Sequence, residues 1–293
     1  VCPTCTEYCP IKIPDEYNEG LNSAKCIYIP FPQAVPAVAV VDPENCLFLR
    51  KRECKICAPT CLLNAIDLYQ KEQKLEVAVG SIILALGYET FNPQLQSEYG
   101  YKKFSNVVTS LEFERIMSAP VPYRGEIRRP SDRKPPKRIA WIQCVGSRDI
   151  TTGNTYCSAV CCMYATKQVI LSKEYDSELE ATIFHNDIRA FGKGFEQYYE
   201  RAKNSPGVRF IWSKVSIVRE LPETKNVVIR YRVNGTEMKE EEFDLVVLSV
   251  GLTSSPGIRE LSNKLSIELN PYGFCKNYPL IPTDTSRAGI YVS

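Results

Sequence analysis

No stretch limits what this chain can become more than residues 144–162, CVGSRDITTGNTYCSAVCC, which set Cys144, Cys157, Cys161 and Cys162 within nineteen residues. An apolar run, residues 138–143, leads in, and a helix-like segment, residues 157–173, leads out. The strand-to-helix turn of an α/β unit is where a nucleotide phosphate usually rests on glycine-rich backbone. Here cysteines occupy that turn. On a helix Cys157 and Cys161 share one face, and Cys162 lies about 100° round from Cys161. Four thiolates so close together point to one iron–sulfur cluster. A zinc site, a dithiol redox pair and a group of inert buried thiols stay open as alternatives.

The 293 residues allow about two domains. A net charge of +2 gives no electrostatic footprint for nucleic acid or an anionic membrane. No apolar run approaches the roughly 20 residues of a membrane span, and no signal peptide is visible. The chain opens on Val1-Cys2, inside a cysteine motif, and ends at Ser293 like a strand without its turn, so an internal piece of a longer chain is expected. Thirteen cysteines with CxxC spacing argue for metal in a reducing compartment rather than a secreted disulfide framework.

Two further cysteine sets precede the block. Cys2, Cys5, Cys9 and Pro10 form the last three-quarters of the ferredoxin pattern C-x2-C-x2-C-x3-C-P, and Cys46, Cys54, Cys57 and Cys61 form a second set, with Leu62 where proline is usual. Residues 64–67 match the short strand that closes such a half. In a two-cluster module the fourth cysteine of each run ligates the other cluster. Cys2 and Cys5 then share a cluster with Cys61, while Cys46, Cys54 and Cys57 share one with Cys9. Zinc knuckles are the alternative. Cys26 fits neither pattern and reads as a spare buried thiol or the completion of the first site; Cys275 has no evident partner.

Residues 28–36 carry three prolines and must be extended, as a packed linker or as a wall against a flat cofactor. Residues 75–88 read as an alternating strand and then a buried strand ending at Ala85-Leu86-Gly87, which looks like the strand-turn beneath a flavin. Residues 107–118 read as a short helix with Ser110 as N-cap. The proline- and charge-rich residues 119–137 mark a boundary. Beyond them strands are expected at 138–143, 180–184, 208–212, 216–220, 226–233 and 243–250, helices at 157–173 and 195–203, and a turn at Asn234-Gly235. Residues 191–195 are half of a GxGxxG without its third glycine. His185, the single histidine, reads as structural.

The blocks 144–149, 156–165 and 187–194, with residues 28–36 and 109–115, resemble the A subunit of heterodisulfide reductase along essentially the whole chain. The family includes relatives in quinone-interacting complexes and in benzoyl-CoA reductase complexes. The resemblance implies an α/β fold: a two-dinucleotide-binding-domain flavoprotein, thioredoxin-reductase-like, with an inserted two-cluster ferredoxin-like module. The implied domains are a truncated ferredoxin-like module at 1–70, parts of an FAD-binding domain at 71–118 and 252–293, and a nicotinamide-domain-like unit at 119–251. The implied cofactors are FAD, an unusual 4Fe–4S cluster on Cys144, Cys157, Cys161 and Cys162, and two 4Fe–4S clusters in the module. Pro32, Gln33, Ala85, Leu86, Gly87, Lys167 and Gln168 are the expected flavin contacts. Lys167, just over one turn past Cys162, is expected to act at the flavin, its cation favouring the anionic reduced ring.

The function expected is electron transfer between FAD and clusters in a heterodisulfide-reductase-like complex, by flavin-based electron bifurcation or confurcation. The alternatives are a simple relay in a quinone-interacting or benzoyl-CoA-reductase-type complex, an NAD(P)H-dependent disulfide reductase, for which the intact second GxGxxG is missing, and a non-redox zinc scaffold. Implied partners are ferredoxin, B- and C-type subunits and a hydrogenase or dehydrogenase input subunit, within a dimer of a larger assembly without nucleic acid. Such an assembly is expected to be cytoplasmic, soluble or peripherally bound to a membrane. The upstream glycine-rich FAD turn and the downstream Gly-Asp are not in these residues.

Overall fold

The computed structural model describes residues 4–120 and 122–293, so Cys2 lies outside the described residues. It divides into two compact units, Val1–Val77 with Pro120–Pro122, and Ala78–Ala119 with Tyr123–Ser293.

The first unit is built of short pieces: helix α1 (Thr4–Tyr8), strands β1 (Lys12–Pro14), β2 (Ser23–Lys25), β3 (Ile27–Tyr28) and β4 (Val40–Val41), and helices α2 (Leu47–Lys51) and α3 (Cys57–Thr60). β1 pairs antiparallel with β2, and β3 with β4. Helix α1 packs on α3. Its buried apolar side chains are few (Cys26, Ile27, Ala34, Phe48 and Leu68 among them). The strand expected at 64–67 is not formed. Asn64 sits at φ 49°, in the left-handed region, which ends an extended run before it starts. Residues 75–79 carry no strand either.

The second unit centres on a parallel sheet. Its elements in chain order are β5 (Ile82–Leu84), β6 (Tyr88–Thr90), β7 (Val107–Thr109), α4 (Ser110–Met117), β8 (Arg138–Val145), α5 (Cys161–Tyr175), β9 (Glu180–His185), α6 (Phe195–Lys203), β10 (Val208–Trp212), β11 (Val215–Glu220), β12 (Val227–Val233), β13 (Glu237–Phe243), β14 (Leu245–Val250), β15 (Leu252–Ser254), α7 (Ile258–Leu265) and β16 (Ile290–Val292). The sheet order is β10-β9-β8-β14-β7, with every pairing parallel. All six side chains of β14 are buried, as a central parallel strand covered on both faces requires.

The meander β11-β12-β13 alternates buried Val227, Ile229 and Tyr231 with more exposed neighbours and closes the core against Phe184, Phe243 and Val246. Its hairpin loop carries Asn234 and Gly235, both at positive φ. A smaller cluster of Leu84, Ile258, Ile267, Cys275 and Ile290 joins the parallel pair β5–β16 to α7.

Three local expectations are corrected. The N-cap of α4 is Thr109, not Ser110: Thr109 and Glu112 form a reciprocal capping box. Residues 107–118, expected as one short helix, begin instead with strand β7, which pairs with β14 in the parallel sheet and buries Val107 and Val108. Helix α5 begins at Cys161, so Cys157 belongs to the preceding loop and shares no helix face with Cys161. Ala159, at φ 61°, breaks the helix between them.

Candidate metal centres

Cys144 is placed by a fault in a strand. Ile142 of β8 faces Leu248 of β14, and the next pair is Val145 with Val250. Gln143 and Cys144 therefore oppose Ser249 alone, which is a β-bulge. Cys144 itself lies at φ 62°, a conformation costing a non-glycine residue about 1–3 kcal/mol. The bulge turns its side chain out of the strand's alternation at the carboxyl edge of the sheet. Cys161 and Cys162 reach the same edge from the first turn of α5, and Cys157 from the loop.

That loop, residues 146–160, is held by its own hydrogen bonds. Ser147 Oγ lies 3.0 Å from Tyr156 O and 3.2 Å from Ser158 N, Arg148 N donates to Tyr156 O at 2.9 Å, and Asn154 Nδ2 donates to Gly146 O at 3.0 Å. Tyr156 OH donates to Leu252 O at 2.6 Å, and its ring packs on Tyr272 and Phe274. Gly251 must be glycine: a Cβ there would stand 2.8 Å from Ser147 Cβ and 3.1 Å from Gly146 O.

Three of the four thiols are raised by burial and by their neighbours. Burial, then the charges of Cys162 and Cys157, push the Cys144 thiol up to about 11, while Arg148 opposes the rise. Burial pushes Cys161 up to about 12, with Cys144, Cys162 and Cys157 adding to it. Cys162 is raised in the same way, chiefly by burial. Cys161 Sγ lies 3.5 Å from Val250 O and Cys162 Sγ 3.9 Å from Asp187 O. Arg148 pairs with Asp187 and also reaches Cys144. Buried thiols of this kind give up their protons only when a metal takes their place. Among the described residues no three His, Cys, Asp or Glu side chains converge on the point a single ion would occupy. Each thiolate of a four-iron cube binds a different iron atom, so its donors stand farther apart than those of one ion. Four thiols from three chain segments, each within reach of another's charge, suit that donor set.

In the first unit Cys9, Cys26, Cys46, Cys54 and Cys57 line one cavity, together with Ile11, Ile27, Val41, Leu47 and Ile56. The cavity gathers Cys46, Cys54 and Cys57 with Cys9. Cys5 lies in α1, and Cys61 follows α3, where its sulfur accepts from Ala65 N at 3.3 Å.

The expected flavin contacts fall in both units. Pro32 and Gln33 are exposed in the first. In the second, Gly87 has φ 65° and nothing within 4 Å of where a Cβ would stand, and Ala85 is exposed beside the half-buried Leu86. An open glycine turn of this kind fits the flat face of a ring. Lys167 Nζ pairs with Glu114 Oε1 at 2.8 Å. Gln168 is fully buried, and its amide donates to Ser110 O and Glu114 Oε1, both at 3.0 Å, and accepts from Trp141 Nε1 at 2.9 Å.

Sequence reasoning missed Arg148 and Asp187 at the cysteine turn, and Gln143, a buried side chain whose amide nitrogen and oxygen both have no partner. A signal for Arg148 and Asp187 exists, since they lie in the family-like blocks 144–149 and 187–194. Nothing in the sequence marks the bulge.

No family model matches the chain. The whole chain is 44% identical over 297 residues to a protein of Methanocaldococcus jannaschii named as the iron–sulfur A subunit of CoB–CoM heterodisulfide reductase, covering 44% of its length. It is 46% identical over 295 residues to the second A subunit of the same name from Methanopyrus kandleri, again 44% of that length. It is 40% identical over 294 residues to the A subunit of the H2:CoB–CoM heterodisulfide,ferredoxin reductase of Methanothermobacter marburgensis, also 44% of that length. The chain thus spans less than half the length of the curated relatives it matches. Among solved structures, LpdA of Mycobacterium tuberculosis overlaps 72% of this chain and 37% of its own at TM-score 0.40 and 12% identity. A thioredoxin reductase from Gloeobacter violaceus overlaps 72% of this chain and 52% of its own at 0.35 and 11%. Both overlaps are weak.

Proposed function

The chain belongs to the family of heterodisulfide reductase iron–sulfur A subunits, and from that premise we propose that it is the electron-transferring part of such an oxidoreductase subunit, working in flavin-based electron bifurcation or confurcation. The observation that carries this reading is the convergence of Cys144, Cys157, Cys161 and Cys162 at the carboxyl edge of a parallel sheet, where a pyridine nucleotide would otherwise dock. These four residues would hold one 4Fe–4S cluster. Cys9, Cys46, Cys54 and Cys57 would hold a second, and Cys2, Cys5 and Cys61 would contribute to a third. Ala85, Leu86 and Gly87 would line the face of FAD. Iron–sulfur clusters supply one-electron transfer and a flavin two-electron transfer, which is the chemistry that splitting or merging electron pairs needs.

This chain's residues do the positioning. Asp187 holds Arg148, and the guanidinium keeps positive charge at Cys144. Glu114 ties Lys167 and Gln168 together, and Gln168 fixes Trp141, which lies on the same strand as Cys144. Lys167 so held would present its cation to the reduced flavin. The partners this reading calls for are B- and C-type subunits, an electron-input hydrogenase or dehydrogenase, and ferredoxin. Among the described residues no helix is long and apolar enough to cross a membrane.

The test is anaerobic purification of the whole subunit, with iron and sulfide analysis and electron paramagnetic resonance. Iron and acid-labile sulfide in equal amounts, with cluster signals on reduction, are expected; zinc in their place would overturn the reading. Lys167→Ala should lower the flavin midpoint potential in a redox titration, and an unmoved potential would remove Lys167 from the flavin site.

A further inference from the structure

The cavity of the first unit holds five cysteines, one more than a four-iron cluster uses. The extra one is Cys26. Its side chain is 1% exposed, and its position is fixed by backbone on both sides. Cys26 N donates to Ile11 O at 3.1 Å, two residues past Cys9, and Asp42 N donates to Cys26 O at 2.9 Å. Cys46 N in turn donates to Asp42 O at 3.1 Å. This ladder sets the Cys26 thiol between the segments that deliver Cys9 and Cys46. The thiol donates to Asp42 O at 3.4 Å and lines the cavity beside Cys46. Its other surroundings are the apolar walls Ile11, Ile27 and Val41.

We propose that Cys26 is a reserve ligand of this cavity: a thiol that stays protonated on Asp42 O while Cys46 holds iron, and that binds iron itself when Cys46 is lost. The inference rests on the reading of the cavity as a cluster site. Two features support the exchange. The thiol is buried inside the same shell as the four expected ligands. It also needs no entry of solvent or new side chain to reach the vacated iron corner. In the exchange one iron–sulfur bond forms to Cys26, the bond to residue 46 is absent, and the Cys26 proton leaves to solvent; no electron moves.

The experiment uses the whole subunit purified anaerobically as four variants: wild type, Cys26→Ala, Cys46→Ala and the double variant. Iron content and paramagnetic resonance are read for each. Cys46→Ala is expected to keep the iron content of wild type with an altered signal, while the double variant loses one cluster. Cys26→Ala is expected to keep all its iron, because Cys46 is then in place as the ligand. A Cys46→Ala protein that loses as much iron as the double variant overturns the reserve role. Wild type without a cluster in this module would instead refute the reading of the cavity, and the two failures are thereby told apart. Folding of each variant is followed by circular dichroism.

Discussion

The two cysteine constellations solve the same problem with opposite surroundings. In the first unit the sulfurs face a cavity walled by Ile11, Ile27, Val41, Leu47 and Ile56, with no charged side chain among its lining. In the second the sulfurs sit at the edge of a five-stranded sheet, and Arg148, Asp187 and Lys214 stand in or beside the same turn. An apolar wall penalises each added negative charge, whereas a held guanidinium compensates it. The difference teaches that chain architecture sets what a cluster can be tuned by. Short loops offer burial, and the rim of a parallel sheet also offers fixed charge.

The comparison breaks first at the ligands. Cys161→Ala should abolish one cluster and its resonance signal while leaving the signals of the cavity intact; if all signals fall together, the two sites are not independent. The next largest effect concerns the frame. Trp141 is wholly buried, packed edge-on against Phe113, and Trp141→Ala should destabilise the second unit by about 3–5 kcal/mol, seen in calorimetry as a lowered transition for that unit alone. Arg148→Ala sharpens the electrostatic contrast. It should lower the midpoint of the turn cluster by on the order of 60 mV, a tenfold change in a one-electron equilibrium, with the cavity clusters unmoved in the same titration. The smallest effect is Thr109→Ala, which removes the cap of α4 and should cost about 1 kcal/mol in denaturant unfolding without moving any potential.

How far the sequence reaches follows the same contrast. Strand β14 was legible because an apolar run broken only by Ser249, and ending in glycine, suits a strand covered on both faces. Cysteine spacing named the constellations because metal ligation needs donors from a few short segments. The start of α5 was not legible: cysteine, serine and alanine tolerate a helix, and only the left-handed Ala159 stops it. The bulge at Cys144 was hidden for a related reason. A register shift is a property of two strands, β8 and β14, and β8 by itself reads as an uninterrupted run. Thr109 won over Ser110 as cap through Glu112, whose carboxylate reaches back to the Thr109 N–H at 2.7 Å, a bond that only the folded turn decides.

The chain's two tryptophans differ as sharply as its two sites: Trp141 is wholly enclosed, three residues before Cys144, whereas Trp212 is 72% exposed. Clusters absorb across the near ultraviolet, where indole emits. The blue-shifted component from Trp141 should therefore be dim while iron occupies the neighbouring turn and brighten as it leaves, against the steadier red-shifted light of Trp212. The molecule carries its own optical gauge of occupancy at one site, readable in seconds under anaerobic conditions and without any label.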